Sequence, residues 1–339
     1  TYHAEGVREL EYPIPNPEPI SQILYGARED ERLDILHVDN GNPSIIAENI
    51  EPSTEITKCL VENLSDGAVL SFGLESADPH VHQMNWLNCD PNQLKIAIKH
   101  INDFGRVKGK RGLPKLLPGL NFIAGLNGET KKSYDMNFNL LEDLRSEGLW
   151  LRRINIRQVE GQGFQEISGT DFRNFKKKVR EEIDKPLLEE IFPIGSELSH
   201  IWWESQGDRI RRPEQIDNPA LSSPSIHGKS GITFGRQIGA YPILIGVPYL
   251  IPLETSSNIV VTGHGMRSIS GVEIGLNINS VSQQQLESIP GIGKKAAWRI
   301  ISSRAKASRS SKIPFDSIEM AFEMAQVEIS PIVEKVLSI

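Results

Sequence analysis

Apolar and polar positions along the first half of the chain follow a repeating helix–strand rhythm. Residues 19–28 predict a helix, and residues 33–38 a strand that ends at Asp39-Asn40-Gly41. Ser53 or Thr54 then predicts the cap of a helix whose apolar stripe is Ile56, Cys59, Leu60 and Leu64. Residues 68–74 predict the next strand. Asp90-Pro91-Asn92-Gln93 is a strong helix start: an Asp cap, a Pro in the first turn and a Gln three residues after the cap. The stripe Leu94, Ala97, Ile98 and Ile101 follows from it. Residues 117–126 predict a strand, 130–147 a helix stopped by Gly148, and 149–159 another strand. Repeated units of this length predict a parallel α/β sheet or barrel. Four strands are too few to close an eight-stranded barrel, so a partial barrel is expected, with earlier strands upstream.

The pattern then changes. Residues 172–188 predict a charged helix, and 208–225 a polar, proline-bearing loop. Between 233 and 274 come short β-like runs broken by Gly and Pro, read as a small β subdomain whose topology the residues do not specify. In the tail, Ser282-Gln283-Gln284-Gln285 is a capping box, with Leu286 and Ile289 as the apolar edge of a short helix. Pro290-Gly291-Ile292-Gly293 is a turn, and a second helix follows with Ala297, Ile300 and Ile301 inward. The expected divisions are 1–165 (partial barrel), 166–232 (helical and irregular connection), 233–276 (β subdomain) and 277–339 (all-α module).

Composition narrows the function. The 339 residues are 38% hydrophobic and 24% charged, enough to bury a core in more than one unit. The net charge of -7 excludes a uniformly basic coat, so any contact with nucleic acid must be local. It is local in the tail: from Gly291 to Lys312 there are seven Lys and Arg and no acid. Cys59 and Cys89 are the only cysteines, too few for a disulfide framework or a four-thiolate zinc site. Their scarcity, with no leader-like or membrane-spanning run, predicts a cytoplasmic chain, and the irregular opening at Thr1 predicts the later part of a longer protein.

Polar clusters sit at predicted strand ends, where parallel α/β folds place their sites. They are Asp39-Asn40-Gly41-Asn42-Pro43, Gly73-Leu74-Glu75-Ser76, Gly125 to Thr130, and the strand Arg152 to Gln158. Each also has a plain reading as turn chemistry or, for Thr130, as a helix cap. Arg153 and Arg157 share one strand face and need an anionic partner, which a protein carboxylate or a ligand can supply. His80-x-His82 lacks a third ligand at fixed spacing, so no metal role is assigned to it.

In order, these clusters resemble the later half of the radical S-adenosylmethionine superfamily. Ser71 to Asp78 is similar to its fourth strand, and Gly119 to Glu129 to its fifth, with glycines, aliphatics and a closing Glu. Gly112 to Gly119, Arg152 to Val159 and Phe234 to Pro242 resemble a branch that carries a C-terminal helix-hairpin-helix motif, so the likeness covers nearly the whole chain. It implies S-adenosylmethionine against Glu75, Ser76, Asn121, Gly125, Gly128, Glu129 and Arg157. It also implies a [4Fe-4S] cluster and an electron donor for it. This chain lacks the family's C-x3-C-x2-C, so the cluster ligands are expected upstream of Thr1, both cysteines are read as core thiols, and the isolated chain is expected to be inactive.

The tail resembles helix-hairpin-helix modules along its length. That implies backbone contact with nucleic acid at Gly291, Ile292 and Gly293, supported by Lys294, Lys295 and Arg299. A packing or protein-contact module fits the same pattern. A different class of function, a non-catalytic nucleic-acid-binding protein with a decayed barrel, also stays open.

Overall fold

The computed structural model describes residues 3–159, 161, 168–208, 231–239, 241–308 and 313–339. The proline-bearing loop expected at 208–225 lies outside them after Asp208. The chain forms two compact units, Thr1–Ile191 with Gly239–Pro242, and Phe192–Ile238 with Ile243–Ile339.

In the first unit, helices α1 (Pro17–Arg28), α2 (Pro43–Glu48), α3 (Ile50–Asn63), α4 (Pro79–Asn85), α5 (Pro91–Gly105) and α6 (Lys131–Ser146) alternate with four strands. These are β1 (Asn40–Gly41), β2 (Ala68–Glu75), β3 (Leu116–Ala124) and β4 (Arg153–Gln158). All three pairings are parallel, in the order β1-β2-β3-β4. Asp90 caps α5 as expected: its carboxylate accepts from the N–H groups of Asn92 (2.7 Å) and Gln93 (3.0 Å). Leu94, Ala97, Ile98 and Ile101 are fully buried.

Parity along the strands organises this unit. Successive side chains of a strand point to opposite faces. Leu70, Phe72 and Leu74 of β2, Leu120 and Phe122 of β3, and Ile154 and Ile156 of β4 join one core with Leu60, Leu94, Ile98, Phe138 and Leu141 of the helices. The other parity carries Ser71, Gly73, Glu75, Asn121, Arg153, Asn155 and Arg157. One face therefore holds the fold, and the other is available for chemistry.

Several sequence expectations need correction. Residues 33–39 are not a strand; only Asn40 and Gly41 join the sheet, opposite Ser71 and Phe72. The run is held instead by the turn before β2: Ser65 takes the N–H of Leu36 on its hydroxyl (3.0 Å) and donates its own N–H to Leu36 O (3.0 Å). Helix α3 starts at Ile50, ahead of the expected caps. Thr54 donates its hydroxyl to Ile50 O (2.8 Å) from inside the helix, and Pro52 is tolerated because a first-turn N–H has no helical acceptor. The charged helix expected at 172–188 is α7 (Gly169–Val179), a π turn Arg180–Asp184 and α8 (Lys185–Ile191).

The second unit holds a closed five-stranded barrel of β5 (Glu197–Asp208), β6 (Gly231–Gln237), β7 (Leu244–Val247), β8 (Ser256–His264) and β9 (Ser268–Glu273), in the order β5-β6-β7-β9-β8. Strand β5, placed by sequence in the connection, bends at register shifts between Leu198 and Ile201 and between Trp203 and Ser205. Such bulges let one strand pair with both β6 and β8 and close the barrel. Four helices follow: α9 (Gln283–Glu287), α10 (Lys294–Ala307), α11 (Ile318–Ala325) and α12 (Pro331–Val336). The short strands β10 (Leu276–Asn277) and β11 (Leu337–Ser338) pair in parallel and join the two ends of this helical part.

Candidate functional site

The polar face of β2–β4 opens on a cavity of about 320 Å3 lined by Asp39, Asn40, Ser71, Glu75, Asn121, Arg153, Asn155, Arg157 and Tyr241, with Phe122 and Ile123. Side chains from three neighbouring strands meet here because the register sets Ser71 beside Gly119 and Arg153, and Asn121 beside Asn155. Asn155 donates to the Asn121 side-chain oxygen at 2.8 Å, and the Arg153 Nε donates to Asn155 Oδ1 at 3.1 Å. The Arg153 guanidinium lies 4.0 Å from the Tyr241 ring centroid, and the Tyr241 hydroxyl donates to Asp39.

Glu75 is the unusual member. The ladder shifts register between Gly73 and Glu75, and Glu75 takes a left-handed backbone, φ 68°. Bulges re-aim side chains in this way. A Cβ added at Gly73 would lie 2.7 Å from Glu75 Oε1, so a larger residue there would make the carboxylate shift from this position. Its Oε2 is buried with no hydrogen-bond partner. Burial pushes the Glu75 carboxyl above the usual carboxylate range, and the Arg157 charge partly opposes this. Among the described residues, neither Arg153 nor Arg157 reaches a carboxylate within 4.0 Å. The site thus presents, among the described residues, one half-buried carboxylate and two arginines with no protein carboxylate at contact distance.

Of the residues singled out for a cofactor, Glu75, Asn121 and Arg157 come together in this cavity. Ser76, Gly125, Gly128 and Glu129 lie past the strand ends and do not line it. Ser76 is buried, and its hydroxyl accepts from the N–H of Asp78 at 3.1 Å. Glu129 is buried in its own loop, where Oε2 accepts from the Gly125 N–H at 3.1 Å. Sequence reasoning left Ser71 and Tyr241 out of the site. The period-two row Ser71, Gly73, Glu75 carries a signal for the first; nothing local to residue 241 signals the second.

The cysteines are core thiols. Cys59 and Cys89 are both buried, and burial pushes the Cys89 thiol up to about 11, where it holds its proton. His80 and His82 lie on α4, and His82 is bonded to Ser76 O. Among the described residues no group of three or more His, Cys, Asp and Glu is arranged to hold a metal. Nor is any helix among them long and apolar enough to cross a membrane.

In the second unit, Gly291 turns the chain with φ 93°, and Gly293 caps α10 with φ -82° and ψ 171°. Lys294, Lys295 and Arg299 are exposed. Ile292 is not: it is 3% exposed, and its N–H bonds to Ile289 O at 3.0 Å, so it is a packing residue of the turn. Arg304 is spent internally on Ile278 O (3.1 Å) and Val281 O (2.7 Å). Arg309 and Lys312 lie outside the described residues.

No protein-family model matches the chain. It is 35% identical over 300 residues to an uncharacterized protein of Archaeoglobus fulgidus, covering 85% of this chain and 52% of that one. It is 34% identical over 282 residues to an uncharacterized protein of Methanocaldococcus jannaschii, covering 80% of this chain and 48% of that one. The chain spans about half the length of these relatives. Among solved structures, coproporphyrinogen III oxidase from Escherichia coli, described as a radical SAM enzyme, aligns over 66% of this chain and 51% of its own. Its sequence identity is 12% and its TM-score 0.34.

Proposed function

We propose that this chain is the later part of a radical S-adenosylmethionine enzyme, joined to a helix-hairpin-helix module that grips nucleic acid. The observation that carries the first half is the cavity on the polar face of β2–β4, where the Glu75 carboxylate, with one buried oxygen left without a partner, lines the same space as Arg153 and Arg157. An amino-acid group, with an ammonium and a carboxylate on one carbon, complements that pair of charges. Asn121 and Asn155 offer amide groups to further polar atoms. The motif order from Ser71 to Gln158 supports the same reading.

The cofactor fits these residues; the cluster does not. Two buried cysteines on separate elements, one with its thiol held protonated, cannot replace three thiolates. The cluster ligands are therefore assigned to sequence outside this chain, as is the surface for an electron donor. S-adenosylmethionine with a reduced cluster would supply one-electron chemistry. This chain's own residues would bind and orient the amino-acid end of the cofactor and keep water from it.

The test is cofactor binding by the full-length protein, measured by equilibrium dialysis under anaerobic conditions. Arg157→Ala is expected to weaken S-adenosylmethionine by about tenfold or more, the cost of one charge-assisted hydrogen bond. Wild-type affinity in a folded Arg157→Ala protein would remove the cofactor from this cavity. A non-catalytic nucleic-acid-binding protein with a decayed barrel is the second reading. Cofactor cleavage by the reduced full-length protein separates the two.

A further inference from the structure

Trp298 is 61% exposed on α10, and the core of the helical part closes without it, through Leu286, Ile289, Ile292, Ala297, Ile300 and Phe322. With Lys294, Lys295 and Arg299 it lines an open cavity of about 530 Å3. At about 100° per residue, Lys294, Lys295, Trp298, Arg299 and Lys306 fall on one side of the helix, opposite the buried Ala297 and Ile300. Helix α10 carries no acid, and among the described residues none of these four cations is in an ion pair. An indole ringed by unpaired cations suits a partner that is flat, apolar on its faces and negatively charged along its length.

We infer that this face of α10 binds single-stranded nucleic acid, with a base stacked on Trp298 and the adjoining phosphates on Lys294, Lys295 and Arg299. The inference rests on the nucleic-acid reading above and adds the form of the partner. A duplex hides its base faces inside the stack and offers this surface only phosphates. A single strand offers both, and an aromatic platform accepts any base because every base has a π face. An apolar protein partner would leave the four cations without counter-charges.

The full chain is titrated by fluorescence anisotropy with a labelled DNA strand, with its RNA equivalent, and with the same DNA strand annealed to its complement. The single strands are expected to bind more tightly than the duplex. Trp298→Ala is expected to weaken single-strand binding about tenfold with an unchanged salt dependence, because stacking releases no counterions. Trp298→Tyr should recover most of the loss, and binding should quench tryptophan emission in the wild type but not in Trp298→Phe. Lys295→Ala should weaken both forms and make the salt slope shallower by about one. Equal losses on strand and duplex, or no loss in Trp298→Ala, would overturn the stacking role while the nucleic-acid reading stands. No binding to either form would end both.

Discussion

Glu75 holds a left-handed backbone and a buried carboxylate oxygen without a donor, two costs that packing alone does not explain. A non-glycine residue in that region costs about 1–3 kcal/mol and persists where the surroundings impose it, often at a functional site. The folded-state pKa of Glu75 is raised above its ordinary value of 4.5 by burial. The folded chain therefore keeps a proton that the unfolded chain has released, and stability falls as pH rises from the ordinary carboxylate range through the raised value. Glu75→Gln removes that titration. It should flatten the pH dependence of urea unfolding from the ordinary carboxylate range upward through the raised value, while weakening S-adenosylmethionine about tenfold to a hundredfold in the full-length protein. A steeper profile, or unchanged cofactor affinity, would count against this role. Glu129 differs: its carboxylate ties the loop after β3 to the Gly125 N–H. Glu129→Ala is accordingly expected to lower stability by about 1–3 kcal/mol in urea titrations.

Elements whose ends are set by short-range chemistry follow the sequence closely. Helix α5 begins where Asp90 and Gln93 close a capping box, so Asp90→Ala should lower the urea midpoint by the equivalent of about 1 kcal/mol, with an unchanged m-value. The capping box of α9 at Ser282 and Gln285 is likewise formed as its residues predict. At the start of α10, Gly293 has φ -82°, and a Cβ there would meet nothing within 4 Å. The fold does not require glycine at this position. Gly293→Ala should therefore leave thermal stability nearly unchanged, and any loss of nucleic-acid affinity would report close approach of a phosphate to that backbone. An unaltered affinity in this variant would move the contact away from the turn.

At the scale of the molecule, the first unit carries a polar cavity and the second a barrel with a basic helical part. Neither cysteine suits an iron–sulfur cluster, so anaerobic reconstitution of this chain should leave it colourless; thiolate-to-iron charge-transfer bands would show otherwise. The alternation of helix and strand, the caps at Asp90 and Ser282 and the basic run from Lys294 were legible in the residues, because capping and periodicity act over three or four positions. So was the convergence of Glu75, Asn121 and Arg157, since alternate residues of a strand share a face and parallel strands end together. Other features depend on partners far along the chain. Residues 33–38 read as a strand by propensity, but Ser65 takes the backbone hydrogen bonds of Leu36 at their centre. Strand β5 reads as connection until bulges bring it against both β6 and β8. Tyr241 reaches Asp39 across two hundred and two positions of sequence, and Arg304 and Ile292, which looked available to a ligand, are consumed by contacts within the tail. The sequence determined the capped and strongly periodic elements and which face of each is polar, because those choices are local; only the tertiary structure decided whether the remaining segments pair as strands and which polar groups meet a partner, because that depends on which backbone and side-chain atoms distant segments bring within hydrogen-bond reach.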